Sequence, residues 1–569
     1  VDKKYLYGYL ACDYNIDTNN PSPGLYLKIT DKSPLNERRR VAFLSPIPIL
    51  TYTSGAHNLR CLAPFIPDKD HITNKIVSVV HRFGRDMPTG DRHSRISFMS
   101  FAKTFIKSQI PKINPSTIDL PDDWLHRGSY SGSRIKALLH DYHHLEKNPA
   151  TSKSFIKDEV YDKPKNPRSI NSPTDFSKVV LGNLCYAVDK NLFNLKYFVK
   201  GKDPRLWPSL LKDTFGQLPV VGTDFSSFEA HHTREFSQIV RFWIMHSLRA
   251  VPLSNKIKRL ISDLILGKNV SKFRGLTAII KQRLMSGSLW TSSSNALLNF
   301  LLMAYMSAMA KGLYDLDSIM SFVINEFVGL FEGDDGITVD YGIDENIIQS
   351  LGLSLKFDKY SSYNLAKFCQ IVSTIEDDRV IIDPLRTLRR MNFLSMRYND
   401  RNVNYTKALV RAKAMSLKTI SPHCPILGPL FDNILKITSG YNMNKIKSEI
   451  TAYSLKYAEV GEKEKIWKIR AEPSDSQREL FYQVFDIDAE QQRKIEESIK
   501  YEDGHIKMDY DFMIGKLDDH HLAKYFDRDA SADPYILNNA FVAETVANGV
   551  LGDKPRHMKD VHIGYSYLA

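Results

Sequence analysis

Short apolar runs separated by proline- and asparagine-rich breaks open the chain. Val41-Ala42-Phe43-Leu44 lies between breaks at Asn19–Pro23 and Pro46–Pro48, which predicts short strands and loops over residues 1–120. Asp122–Lys200 is polar and charge-dense, with the spacing of an amphipathic helix around Ser133–Glu146. Leu218-Pro219-Val220-Val221-Gly222 predicts a short strand that delivers Asp224 near its carboxyl end. Helical spacing then runs from Leu289 to Lys311. Its apolar part, Ala296–Ala310, is interrupted by Asn299 and Ser307 and is shorter than the roughly 20 residues a bilayer crossing needs, so it predicts a buried core helix. Phe327–Phe331 and Gly336–Val339 flank Gly333-Asp334-Asp335, predicting a hairpin with both aspartates at its tip. Beyond about residue 400 the pattern is mostly helical, with a basic segment at Lys407–Lys418 and a charged helix near Ala489–Lys500. No internal repeat or extended low-complexity tract is present.

A chain of 569 residues exceeds what one hydrophobic core usually supports, so two to four lobes are expected. The formal charge of +12 points to a polyanionic partner, because Lys and Arg in a groove release counterions when they meet phosphates. Five cysteines without a CxxC pair argue against a disulfide framework and a zinc knuckle. The pairs His143-His144, His231-His232 and His520-His521 have no partner at ligand spacing and are read as surface or structural histidines. No signal peptide opens the chain, and a first residue of Val rather than Met predicts a trimmed or processed piece of a longer product.

Three short segments carry the chemistry. Thr223-Asp224-Phe225-Ser226-Ser227-Phe228-Glu229 holds two carboxylates five residues apart. Ser286-Gly287-Ser288 places a Ser-Gly loop before a helix, where Gly287 permits unusual dihedrals and Thr291 and Asn295 share one helical face. Gly333-Asp334-Asp335 completes the set. Nucleotidyl transfer needs carboxylates that hold two divalent cations about 3.5–4 Å apart, and a separate polar group that recognises a ribose. Asp224 and Asp334, with Asp335 as auxiliary ligand, suit the first task. Glu229 and Asn295 suit the second, since a carboxylate and an amide side by side can accept from and donate to a ribose 2′-hydroxyl.

In this order the segments resemble motifs A, B and C of RNA-dependent RNA polymerases of positive-strand RNA viruses. Phe155-Ile156-Lys157-Asp158-Glu159, Lys163, Lys165 and Pro167-Arg168-Ser169-Ile170 are similar to the basic motif F. Phe368-Cys369-Gln370 is similar to the motif E turn of the tombusvirus-like and nodavirus-like branch, and Trp124–Arg134 loosely resembles motif G. The resemblance covers roughly residues 125–400. Lys157, Lys165 and Arg168 form a positive lining suited to a triphosphate and a template backbone. A motif D lysine that protonates pyrophosphate is implied by the resemblance, and Lys356 and Lys359 are both candidates. Glu229 stands where many relatives carry Asp, and its extra methylene alters the fine geometry of sugar reading. Arg411, Lys413 and Lys418 are basic positions that could face RNA from the helical region.

The resemblance implies an α+β right hand: an N-terminal extension over 1–120 that bridges fingers and thumb, fingers over 121–216 and 236–284, a palm with an antiparallel sheet over 217–235 and 285–395, and a helical thumb with the C-terminal region over 396–569. It implies replication and transcription of an RNA genome on an RNA template, from ribonucleoside triphosphates and two Mg²⁺ ions, with Mn²⁺ as a substitute. In this role Asp224, Asp334 and Asp335 hold metal, while Glu229 and Asn295, with Ser286, Gly287 and Thr291, read the nucleotide. Implied partners are template and nascent RNA and viral or host replication proteins. The implied location is the host cytoplasm, on membrane-bound replication complexes reached through elements outside this chain. Two rivals share parts of the pattern. A reverse transcriptase is expected to block the 2′-hydroxyl with an aromatic side chain where this chain has Glu229 and Asn295. A silent RNA-binding scaffold has no use for carboxylates that repel RNA.

Overall fold

A computed structural model describes residues 5–7, 25–31, 40–42, 50–53, 67–127, 130, 132–142, 151–157, 159, 161, 165–391, 403–441, 443, 452–502 and 505–509. Ser129, Asp158, Lys163, His143-His144 and His520-His521 lie outside the described residues. Mixed helix and sheet make up the architecture, and no described helix is long and apolar enough to cross a membrane.

The centre is a four-stranded antiparallel sheet in the order Gly329–Glu332, Asp335–Val339, Val220–Phe225, Leu355–Tyr360. Because successive side chains on a strand point to opposite faces, Val220 and Val221 bury into different cores. Val220, Leu330 and Ile337 pack with Trp207, Leu211 and Phe215. Val221, Phe225, Phe331 and Leu355 pack on the other side, in the core of the helix Thr291–Ala310. That helix is apolar on almost every face and is buried from Ala296 to Ala308, as its composition requires.

Glu332 pairs directly with Asp335, so the hairpin loop is only Gly333-Asp334. Gly333 takes a positive φ of 62°, the backbone shape that matches a two-residue turn to the strand twist. Asp335 therefore opens the second strand, where the sequence reading placed it at the tip.

A second sheet of five strands runs Leu25–Ile29, Leu276–Lys281, Lys268–Phe273, Thr151–Ile156, Ser169–Pro173. Its first strand comes from the amino-terminal segment and pairs antiparallel from Leu25↔Ile280 to Ile29↔Leu276. The segment Leu50–Thr53 pairs parallel with His505–Asp509, which follow the carboxy-terminal helices. Those helices, among them Val403–Ile420, Leu427–Ile437 and Asp475–Phe485, share a separate core around Phe431, Ile434 and Phe481.

Two helices depart from the sequence reading. Residues 92–109, assigned to strands and loops, form the helix Arg92–Gln109. Phe98, Phe101, Ala102, Phe105 and Ile106 recur at helical spacing and all face the core, and the Asp91 side chain caps the helix by accepting from the Ser94 amide at 2.7 Å. Within the polar middle, Asp175–Phe193 is also a helix, capped by Thr174. The predicted helix near Ser133–Glu146 is observed over Gly132–Tyr142.

Candidate active site

Asp224 is the penultimate residue of its strand and lies exposed, as do Asp334 and Asp335. The hairpin is fastened to this strand by polar contacts. Asn299 donates from Nδ2 to the Asp334 carbonyl at 2.9 Å, and the Thr223 hydroxyl lies 3.4 Å from the carbonyls of Asp334 and Gly336. Asn299 is fully buried, one helical turn beyond Asn295, and its role was not read from the sequence. A polar side chain inside an otherwise apolar helix was the available signal.

Asp224 and Asp335 line one recess together with Asp358, Phe368 and Cys369. Protein crowds around these carboxyls although water reaches them. Burial pushes Asp335 up to about 6, helped by the charges of Asp334 and Glu332. Asp334 is raised as well, mainly by burial, with Glu229 adding to the shift and Arg168 and Arg82 opposing it. Among the described residues no three His, Cys, Asp or Glu side chains gather into a group able to hold a metal ion. The predicted trio is thus brought to one end of one sheet, as neighbours without a closed cage.

Cys369 and Gln370 occupy the centre of a tight turn, both at positive φ (48° and 69°), closed by a bridge between Phe368 and Ile371. The Cys369 thiol lies 3.6 Å from a Glu332 carboxylate oxygen. All three described cysteines are free.

Glu229 and Asn295 each have a protein partner that the sequence reading did not name. Glu229 is buried, and both its carboxylate oxygens accept from Arg82, at 2.6 Å from Nε and 3.3 Å from Nη2. Asn295 pairs with His232, its Oδ1 lying 2.8 Å from Nε2. An amide oxygen can only accept, so His232 donates from Nε2, and the Asn295 amide N–H groups face away from that bond. Burial holds His232 neutral by lowering its pKa to about 4. His231 is likewise buried and lowered to about 4. Its Nε2 accepts from the Ser354 amide at 3.0 Å, tying the Asp224 turn to the next strand. The pair His231-His232 is structural, as one half of the sequence reading had it, and not superficial.

Thr291 is engaged within its own loop. Its hydroxyl donates to the carbonyls of Met285 (2.9 Å) and Ser288 (3.0 Å), clamping the loop it follows. The Ser286 carbonyl accepts from the Asn171 amide at 2.8 Å. Gly287 has φ 95°, and an added Cβ would come within 2.9 Å of Ile170, so both dihedral and space demand glycine there.

The basic loop is held by an internal carboxylate. Arg168 donates to Glu159 from Nε at 2.6 Å and Nη2 at 2.9 Å, and Lys157 lies 2.7 Å from the same group. Burial pushes the Glu159 carboxyl up, but Arg168 and Lys157 more than reverse this and hold it at about 2. Lys165 is exposed.

The strand register separates the two lysine candidates. Lys356 pairs directly with Asp224 and so shares its face of the sheet. Lys359 pairs with Val221 on the other face and lies 3.2 Å from Asp340. Arg411 and Lys418, considered as RNA-facing, are buried instead. Arg411 donates to the Leu435 carbonyl and to Glu462, and Lys418 contacts Asp432.

Residues 176–418 match the family described as viral RNA-dependent RNA polymerase, a stretch shorter than half of the chain that contains every acidic residue of the recess. The chain carries an RNA-directed RNA polymerase domain. Such a domain binds RNA and nucleoside triphosphates. No curated protein matches the chain. Arg82 and the whole basic loop, Arg168 included, lie before the matched stretch, yet the charges of Arg82 and Arg168 both act on Asp334, and Arg82 was not singled out by sequence reasoning.

Proposed function

We propose that this polymerase copies an RNA template into RNA by two-metal nucleotidyl transfer, replicating and transcribing a viral RNA genome. The observation that carries the reading is the recess shared by Asp224 and Asp335, with Asp334 on the adjoining turn, inside the matched domain. The donor chemistry fits Mg²⁺ once the three side chains are drawn together, because all are hard oxygen donors and a divalent cation relieves the carboxylate repulsion that adds to burial in raising Asp335. Asp224, Asp334 and Asp335 would hold two such ions, which supply charge neutralisation at the attacking 3′-oxygen and the triphosphate.

The chain's own residues do the rest. Glu229 and Asn295 read the ribose, while Lys165 draws in phosphates together with Lys157 and Arg168 once Glu159 shares its hold on those two. Lys356 is the lysine placed to give a proton to the departing pyrophosphate. In right-hand terms the four-stranded sheet is the palm, the five-stranded sheet belongs to the fingers and the carboxy-terminal helices to the thumb. The pairings of Leu25–Ile29 and Leu50–Thr53 support an amino-terminal segment that spans both. Cytoplasmic membranes and viral or host replication proteins complete the proposed setting.

The test is extension of RNA on an RNA template by the purified chain with Mg²⁺, run with ribo- and deoxynucleotides side by side. Ribonucleotide incorporation is the expected result. RNA binding without any incorporation would favour the silent scaffold, and preferential use of deoxynucleotides the reverse transcriptase.

A further inference from the structure

The Arg82–Glu229 pair joins parts of the chain 147 positions apart. Arg82 sits on a π-helical turn, Val79–Phe83, that continues the helix Ile72–Ser78. This turn is firmly seated. Val79 and Phe83 are buried against Leu25, Phe273, Leu276 and Ile280, while the Arg283 guanidinium donates to the Phe83 carbonyl at 3.2 Å and the Ser227 hydroxyl to the His81 carbonyl at 3.4 Å. The guanidinium therefore reaches Glu229 from a fixed backbone. π-helical turns of this kind are frequent at functional sites.

Glu229 has one more torsion than an aspartate would have, so its carboxylate needs an anchor to present a defined edge. A two-pronged contact from Arg82 supplies it. Each carboxylate oxygen has two lone pairs, and the guanidinium uses one on each, which leaves acceptors for a further hydroxyl. The pair is not sealed: 20% of the Arg82 side chain and 10% of the Glu229 side chain remain exposed, and both charges act on Asp334. The pair thus lies within electrostatic reach of the acidic hairpin.

We infer that Arg82 is a positioning residue that sets sugar specificity, holding the Glu229 carboxylate where it accepts the 2′-hydroxyl of the incoming ribonucleotide. The inference rests on the polymerase reading above. It makes the amino-terminal segment part of the nucleotide site.

The experiment uses the full chain and a hairpin RNA that serves as both template and primer, comparing kcat/KM for ATP and dATP. Arg82→Gln should lower the ATP-to-dATP ratio about tenfold, chiefly by raising KM for ATP with kcat little changed. Arg82→Lys keeps the charge but loses the fork, and should give an intermediate ratio. Glu229→Gln should lower the ratio comparably, and the double variant no further than Glu229→Gln alone. An equal fall for both nucleotides, or losses that multiply in the double variant, would overturn the inference. If Arg82→Gln does not fold, Arg82→Lys decides by the same ratio. A wild-type chain that uses dATP as well as ATP removes the sugar-reading role of Glu229 and this inference with it. A wild-type chain that incorporates neither overturns the polymerase reading, whereas an active, discriminating chain with unchanged Arg82 variants overturns only the role given to Arg82.

Discussion

Ion pairs in the carboxy-terminal helical region and ion pairs beside the acidic hairpin are built from the same groups but differ in what surrounds them. Arg478 and Glu496 are 10% and 13% exposed, joined by two hydrogen bonds of 3.1 and 2.8 Å, with Gln492 adding a third contact to the guanidinium. Lys418 is wholly enclosed between Asp432 and the Ile469 carbonyl. In both pairs it is the cation that is enclosed, at 10% and 0% exposed. Arg168, by contrast, is 41% exposed while its partner Glu159 is 10% exposed, so the cation keeps a face toward solvent and toward Asp334. A closed pair can only stabilise or destabilise the fold; a pair with one open cation can exchange partners when phosphate arrives.

Several substitutions would break or sharpen that contrast. The largest effect belongs to the acids themselves: Asp334→Ala should slow RNA extension by roughly 10²–10⁴-fold while RNA binding persists, and equal activity of the two proteins would remove the metal assignment. Next comes the closed pair. Arg478→Ala should cost on the order of 3 kcal/mol of stability in denaturant melts, because it leaves the largely enclosed Glu496 carboxylate with the Ile426 amide but no cation, yet leave KM for nucleotide unaltered at a temperature where the variant is folded. Its open counterpart, Arg168→Gln, should do the opposite, raising KM for nucleotide about tenfold with a smaller change in melting. If both variants moved only stability, the distinction between closed and open pairs would be lost.

The smallest effect concerns a carboxyl with neither kind of partner. Asp189 makes no ion pair among the described residues, one of its oxygens is buried without a hydrogen bond, and burial raises it to about 7. Its folded pKa lies above the unfolded one, so its contribution to stability is full below about 4 and is lost as pH rises through about 7. Wild-type protein should therefore lose roughly 1.4 kcal/mol relative to Asp189→Asn between pH 6 and pH 8. Parallel pH dependence of the two proteins in melting experiments would contradict this.

What could be read from the sequence followed the range of the interaction. The helix Thr291–Ala310, the strand before Asp224 and the hairpin around Gly333 announce themselves through local periodicity and turn residues. Arg92–Gln109 had the same periodic signal and was passed over because the surrounding breaks suggested strands. Arg82 offered no such signal, since its partner lies 147 positions away and nothing in the spacing marks one arginine among many. The basic run over residues 407–418 misled for a related reason. Charge predicts exposure, and Arg411 and Lys418 are buried because distant acidic and carbonyl groups meet them there.

The parallel pairing of Leu50–Thr53 with His505–Asp509 has a bearing on how the molecule is made. On the ribosome the first of these strands emerges hundreds of residues before the second, so its edge stays unsatisfied through most of synthesis. Pairing of these two strands is then a late event, and chaperone occupancy should concentrate on the early-emerging strand until its mate is translated.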